Sequence, residues 1–288
     1  MNNEWTYWPA PAKLNLFLHV IGRRGDGYHL LQTVFQLLDW GDEIALRTRA
    51  DDRIERSDGP QAIPVAQDLT WRAAMALRKR TGTQRGADIH LHKRIPIGAG
   101  LGGGSSDAAT VLVALNELWS TGLTRDELAE IGVGIGADVP LFVRGHSAWA
   151  EGIGERLTPM TLPQRHYAVV DPQVHVSTRD LFAAAELTRN SRPSTISGFL
   201  DGTLTANAFT PIVRARYPAV AAAMDWLDGY GEARLSGSGG CVFVALDSAE
   251  QAEAIVKACP GEFRAFHATG VNHSGLLDCL GRYRNAAA

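Results

Sequence analysis

Cysteine is scarce and badly placed for bridging. The three residues, Cys241, Cys259 and Cys279, are odd in number, far apart, and form neither a CxxC pair nor a zinc spacing. That excludes a disulfide framework or a cysteine-built metal site and fits buried or harmless thiols in a reducing compartment. Charge of one sign is also missing: 28 Lys+Arg stand against 31 Asp+Glu, a formal net charge of −3. A general binder of nucleic acid or of anionic membrane needs clustered basic excess, so neither partner is expected. An anionic ligand has to be held by local geometry. No apolar run approaches the ~20 residues that span a bilayer. The N-terminal MNNEWTYWPAPAK has no basic stretch followed by an apolar one, so it is not read as a signal peptide. These absences lead us to expect a soluble, cytoplasmic chain, and they leave a monomer and a homodimer equally compatible.

What is present is a chain of 288 residues with 45% hydrophobic residues, 30 glycines and 13 prolines. That supports a substantial core in one large or two ordinary domains and excludes wholesale disorder. The pattern predicts a strand over Lys13 to Ile21, a turn-rich loop GRRGDGYH, and a second strand near Glu43 to Thr48. A helix is expected over Leu69 to Arg80 and a half-buried strand over Ala87 to Ile95, with Ile89 and Leu91 on one face and His90 and His92 on the other. A long buried helix should run to about Trp119, capped by Ser105 or Ser106. Thr124 with Glu127, and Ser248 with Gln251, form capping-box patterns. Further helices are expected near Thr178 to Leu187 and Pro211 to Leu227, and a last strand over Phe263 to Val271. Strands and helices mix without strict alternation, which predicts an α+β fold. A loop-and-hairpin texture near Gly145 to Gly154 suggests a boundary, giving domains 1–152 and 153–288.

Five glycines fall between Gly98 and Gly104, between a strand and the buried helix. Bare backbone followed by a helix N-terminus makes an anion site, most often for phosphate. A Walker A loop would need Lys where Gly104 stands. Gly98, Gly100 and Gly103 match G-x-G-x-x-G formally, but the following helix leads into another helix rather than into a strand ending in an acid. The remaining kind is P-x-x-x-G-L-G-x-S-S, the loop of the GHMP small-molecule kinases, which Pro96 to Ser106 resembles closely, with two residues, Gly103 and Gly104, where the pattern has one before Ser-Ser. PAKLNLFLHV, GRRGDGYHLLQTVFQ, GADVPLFVRG and RLSGSGGCVFV occur in the same order as in one branch of that family. That branch phosphorylates a methylerythritol unit attached to CDP, in the non-mevalonate route to isoprenoid precursors.

The resemblance implies a two-domain GHMP kinase fold, with an N-terminal domain like ribosomal protein S5 domain 2 and a C-terminal ferredoxin-like domain. It implies ATP and Mg²⁺ as cofactors and a small CDP-linked molecule as partner. Lys93 and the run Pro96, Ile97, Gly98, Ala99, Gly100, Leu101, Gly102, Gly103, Gly104, Ser105 and Ser106 would bind ATP, and a hydroxyl of Ser106 would be a metal ligand. Asp68 and Leu69 would line the adenine pocket. The family usually has Asn at the position of Asp68, so an amide donor is missing there. The resemblance implies that Asp138 is the catalytic acid–base residue with Lys13 as its partner. Asn15, two residues along the strand, shares the face of Lys13. Tyr28 would stack on the cytosine, His29 would read its edge, and Phe182 would be the second wall. RLSGSGG would be a supporting turn.

Only four lysines occur among the 28 cationic residues, and two of them, Lys13 and Lys93, lie in these motifs, where a compact ammonium is not replaceable by a planar guanidinium. Two rivals are considered. Kinases of the same family acting on homoserine, mevalonate or a sugar have no base for the Tyr28–His29 loop to stack on. A regulator that has lost catalysis would lack the Lys13–Asp138 pair. His90 and His92 have no third ligand in the sequence and read as solvated surface.

Overall fold

In the computed structural model, which describes residues 4–57, 63–202 and 204–287, the chain is an α+β molecule on a mixed sheet. Two long antiparallel strands come first, β1 (Thr6–Arg23) and β2 (His29–Arg49). The two early strands expected from the sequence are segments of this longer ladder. Next are β3 (Ile54–Arg56), α1 (Leu69–Thr81), β4 (Gly86–His92), α2 (Gly103–Leu118), α3 (Arg125–Val133) and α4 (Val139–Arg144). A hairpin of β5 (Ala148–Glu151) and β6 (Arg156–Pro159) follows. The remainder is β7 (His166–Asp171), α5 (Thr178–Ala183), α6 (Ile196–Leu200), α7 (Thr210–Arg216), α8 (Pro218–Leu227), β8 (Arg234–Leu235), β9 (Val242–Leu246), α9 (Ala249–Lys257), β10 (Arg264–Val271) and α10 (Gly275–Ala287).

The strand order is β3-β4-β2-β10-β7-β9-β8, with β1 and β5 also pairing with β2. β10 is the joint: Ala265 pairs with Val170 of β7, and Val271 pairs with Leu37 of β2. Among the described residues no helix is long and apolar enough to cross a membrane.

Three apolar clusters hold the layers together. One surrounds α2 and takes in Trp8, Leu77, Leu112, Leu115 and Phe142, together with Leu276 and Leu280 of α10. A second lies under α7 and α8. The third joins Leu14, Phe17, Leu38, Tyr167 and Phe243 to Ile95 and Leu101, directly beneath the glycine loop. Each fully buried Val or Leu of α2 contributes about 1.5–3 kcal/mol. Packing, not the weak helix propensity of its Gly-Gly-Ser-Ser start, therefore holds this helix.

Both capping boxes are present: Thr124 accepts from the Glu127 amide at 3.3 Å, and Ser248 accepts from that of Gln251 at 3.3 Å. Four local expectations are corrected. The cap of α2 is Gly102, left-handed at φ +73, with no side-chain cap; Ser105 and Ser106 lie inside the first turn. Asp138 precedes not the extended segment that the Val139-Pro140 pair predicts but a helix. It adopts αR angles and starts α4, because Pro140 is tolerated in a helix's first turn. The helix expected over Pro211 to Leu227 is two helices broken at Tyr217, which the following Pro218 pushes out of helical angles. α5 ends at Ala183, four residues before Leu187.

Candidate active site

β1 departs from regular pairing at Pro11/Lys13 and again at Asn15/Leu18. Such irregularities re-aim side chains, and here they bracket Lys13 and Asn15. Both residues are buried at 3% exposure. The Lys13 ammonium donates to Asn15 Oδ1 at 2.5 Å and to the Gly100 carbonyl at 2.7 Å, and lies 3.7 Å from Asp138 Oδ2. Burial pulls the Lys13 pKa below the ordinary lysine value, against the opposing field and hydrogen bond of Asp138. Asn15 in turn donates to Thr33 Oγ1 at 2.9 Å, and Thr33 donates to the Phe17 carbonyl. The Asp138 side chain is 29% exposed, so it reaches open space while its lysine does not.

The glycine loop is pinned from two sides. The Lys13 amide donates to the Leu101 carbonyl at 3.0 Å. From the RLSGSGG turn, Ser236 Oγ donates to the Gly100 carbonyl at 3.0 Å and the Cys241 amide donates to that of Ala99 at 3.0 Å. Gly100 has φ +78, and a Cβ built on it would lie 2.0 Å from the Ser236 carbonyl oxygen. A Cβ on Gly102 would press on Phe142 at 2.9 Å and on Lys13 Cε at 3.1 Å. Both glycines are thus required by geometry. Because no side chain among the described residues caps α2, the first amides of the helix remain available to an anion.

Two cavities meet at this loop. The larger, about 740 Å³, is lined by Lys13, Asn15, Tyr28, His29, Asp138 and Phe182 and by Gly237 and Ser238 of the RLSGSGG turn, all singled out from the sequence, together with Arg23, Thr33, Phe35 and Arg179, which were not. The smaller, about 300 Å³, is lined by Asp68, Leu69, Lys93 and every residue from Pro96 to Ser105. Gly98, Gly100 and Gly102 line both. Ser106 lines neither; its hydroxyl is fully buried and has no hydrogen-bond partner among the described residues.

Lys93 is not a free ammonium. It donates to Asp42 Oδ2 at 2.5 Å and to Asp107 Oδ2 at 2.7 Å. Burial works against its charge, but the two carboxylates outweigh burial and hold its pKa above the ordinary value. Asp42 is further satisfied by the amides of Arg94 and Ile95, whereas Asp107 Oδ1 is buried without a partner among the described residues. Burial, resisted by Lys93 and reinforced by Asp42, pushes the Asp107 pKa up to about 8.

Asp68 uses its carboxylate as a helix cap. Oδ1 accepts from the Thr70 amide at 2.8 Å, and Oδ2 pairs with Arg56 at 2.5 Å, with both side chains buried. Burial alone would raise its pKa, but Thr70 and Arg56 hold it below the usual carboxylate range. An Asn could cap the helix equally well; the carboxylate adds the bond to Arg56.

In the loop after β1, Tyr28 is 60% exposed. His29 stacks on Phe182 with centroids 4.8 Å apart and planes 19° off parallel. Phe182, expected as the second wall around the cytosine, thus carries the His29 ring on its face. Arg189 also reaches this point, donating from Nε to His29 Nε2 at 3.2 Å. No sequence signal marked Arg189, which sits in an irregular segment. His90 is edge-on to Trp5 at 6.4 Å, and no group of three or more metal-binding side chains occurs among the described residues.

Comparisons with known proteins follow the same lines. The family model described as "GHMP kinases N terminal domain" matches residues 68–146, and "GHMP kinases C terminal" matches residues 183–265. A protein of Xanthomonas axonopodis pv. citri named 4-diphosphocytidyl-2-C-methyl-D-erythritol kinase is 54% identical over 278 residues, covering 96% of this chain and 94% of the relative. One of the same name from Nitrosococcus oceani is 52% identical over 273 residues, covering 95% and 97%. A crystal structure of 4-(cytidine 5'-diphospho)-2C-methyl-D-erythritol kinase superposes with a TM-score of 0.80 at 32% identity, covering 92% of this chain and 100% of that one. A homoserine kinase from Cytophaga hutchinsonii shares the fold, with a TM-score of 0.67 at 18% identity over 96% of this chain and 97% of that one.

Proposed function

This chain belongs to the 4-diphosphocytidyl-2-C-methyl-D-erythritol kinases of the GHMP kinase family, and from that premise we propose how its residues divide the work. It transfers the γ-phosphoryl group of ATP to the 2-hydroxyl of the CDP-linked methylerythritol, in the non-mevalonate supply of isoprenoid precursors. The smaller cavity takes ATP: Asp68 and Leu69 border the base, and Gly98 to Ser105 wrap the phosphates with backbone amides, whereas the Ser106 amide is spent on the Gly102 carbonyl at 2.9 Å. The larger cavity takes the acceptor, with Tyr28, His29 and Phe182 around the cytosine and Asn15 near the reacting end. One observation carries the assignment. The two cavities share Gly98, Gly100 and Gly102, and the Lys13–Asp138 pair stands at that junction.

Asp138 accepts the hydroxyl proton as the oxygen attacks phosphorus. Lys13, pressed beside it, polarises the same hydroxyl. The phosphoryl transition state is loose, so placing the two substrates in line contributes as much as activating the nucleophile. The loop's oxygen donors fit a magnesium ion. The buried Ser106 hydroxyl has no partner among the described residues and directly follows Ser105, which lines the smaller cavity, and Mg²⁺ characteristically takes one or two protein oxygens with phosphate oxygens and waters. When bound, Mg²⁺ supplies charge neutralisation on the phosphates. The enzyme works in the cytoplasm on small molecules.

The experiment is ADP release from Mg-ATP with a panel of acceptors. Release that depends on the CDP-linked methylerythritol supports the reading. Release with homoserine, mevalonate or a hexose, and not with the CDP-linked compound, refutes it.

A further inference from the structure

His29 is held by a group that can only donate. Arginine carries five N–H donors, no acceptor, and does not lose its charge in proteins. The contact from Arg189 Nε to His29 Nε2 at 3.2 Å therefore requires Nε2 to accept. In a neutral ring the proton then sits on Nδ1, which has no hydrogen-bond partner among the described residues, and His29 lines the larger cavity. Burial first, then the charges of Arg189 and Arg23, lower the His29 pKa and keep the ring neutral. Arg189 is itself well anchored. It donates to the carbonyls of Leu187 at 3.1 Å, Phe182 at 2.9 Å and Ala184 at 2.7 Å. One side chain thus ties the aromatic wall to the ring stacked on it.

The consequence lies in the pyrimidine edge. Cytosine offers an acceptor at N3, whereas uracil offers an N–H donor at the same place. A ring whose only free nitrogen is a donor suits the first and opposes the second. A histidine free to move its proton could serve either. Resting on the acceptor site assigned above, we propose that Arg189 is a positioning residue for base selection: it fixes His29 as an Nδ1–H donor and thereby sets the preference for cytosine over uracil.

The test reads both the proton and the selectivity. In protein labelled with ¹⁵N-histidine, with His29→Gln to assign the signals, wild-type His29 shows a protonated Nδ1 and an unprotonated Nε2. In Arg189→Met the Nε2 signal shifts toward the protonated value. The ratio of kcat/KM for the CDP-linked acceptor to that for its UDP-linked analogue falls by about tenfold or more, as expected when a site loses a hydrogen bond that rejects the wrong analogue. Arg189→Lys, which keeps a cationic donor, retains part of both effects.

A wild-type His29 protonated on Nε2 overturns the proposal without any variant, so an unfolded Arg189→Met does not shield it. An unchanged ratio in a folded Arg189→Met also overturns it. Calorimetric binding of CDP and UDP needs no turnover and separates this proposal from the assigned reaction. An inactive wild type that still prefers CDP, and loses the preference in Arg189→Met, supports Arg189 and refutes only the reaction. A wild type that binds the two equally refutes Arg189.

Discussion

The ammonium of Lys13 donates to the carbonyl of Gly100 at 2.7 Å while facing Asp138 at 3.7 Å. One lysine therefore fixes the glycine loop and Asp138, the proposed proton acceptor, relative to each other. Loss of its head group does two things at once: it leaves Asp138 without its cation and the Gly100 carbonyl with one donor fewer.

Asp138→Asn should lower kcat by roughly 10²- to 10⁴-fold, the range of a positioned base, with KM for both substrates little changed. Lys13→Met should also lower kcat and should cost about 1–3 kcal/mol of stability from the orphaned partners. The double variant should lose less than the product of the two, because residues acting as a unit are non-additive. Steady-state kinetics on the four proteins, with circular dichroism as a check on folding, measures this. A near-normal kcat in Asp138→Asn removes Asp138 from the reaction.

Tyr28→Ala should weaken the CDP-linked acceptor by about 1–3 kcal/mol, the range for one base–aromatic stack. ATP should bind as before, since Tyr28 lines only the larger cavity. Calorimetric titration of each substrate decides it; weakened ATP with normal acceptor binding would mean the two nucleotide sites are reversed.

Gly100→Ala and Gly104→Ala should behave differently. The first sets a Cβ 2.0 Å from the Ser236 carbonyl in a left-handed residue, so it should unfold the loop region and lower Tm. The second lies within α2, where the nearest atom is Leu69 Cδ1 at 3.2 Å, so the fold should survive and the defect should appear as a raised KM for ATP. A bulky residue at Gly102 or Gly103 should likewise disturb the fold. A Cβ at those positions meets Phe142 or Ile95 at under 3.0 Å. Equal Tm values for the two alanine variants would contradict the packing argument.

Asp107 provides a pH prediction. Burial pushes its folded pKa up to about 8, against 3.8 for an ordinary aspartate. Between those values the folded chain binds the extra proton, so its contribution to stability falls as pH rises through the window. Asp107→Asn does not titrate. The Tm of the variant minus that of the wild type should therefore grow from pH 5 to pH 8. A constant difference across that range would mean Asp107 is ionised throughout.

Much of this site was readable because short-range pattern is physics acting locally. Lys13 and Asn15 share a face by the two-residue repeat of a strand, and they are 2.5 Å apart. The five glycines pointed to backbone bared for an anion; the Ser236 carbonyl beside Gly100 is a second reason, not signalled by the sequence, why a side chain is excluded there. What was not readable depends on partners distant in sequence. Asp42 and Asp107 are 65 residues apart, and only the fold brings both onto Lys93. Arg189 meets His29 across 160 positions from a segment with no periodicity. Likewise β7 and α10 carried too few periodic residues to stand out, although Leu276 and Leu280 are spaced as a helix face.

α10 belongs to the first core while being the last element in the sequence. Leu276 and Leu280 fill the cluster around α2, Tyr283 lies 5.4 Å from Trp8, and Arg284 pairs with Glu117. On the ribosome, then, the half made first has to wait for the half made last. Until Gly275–Ala287 emerges, Trp8 and the outer face of that cluster lack their cover. Nascent chains arrested before Gly275 should be cut readily by protease in the N-terminal half, and chains released after α10 should resist.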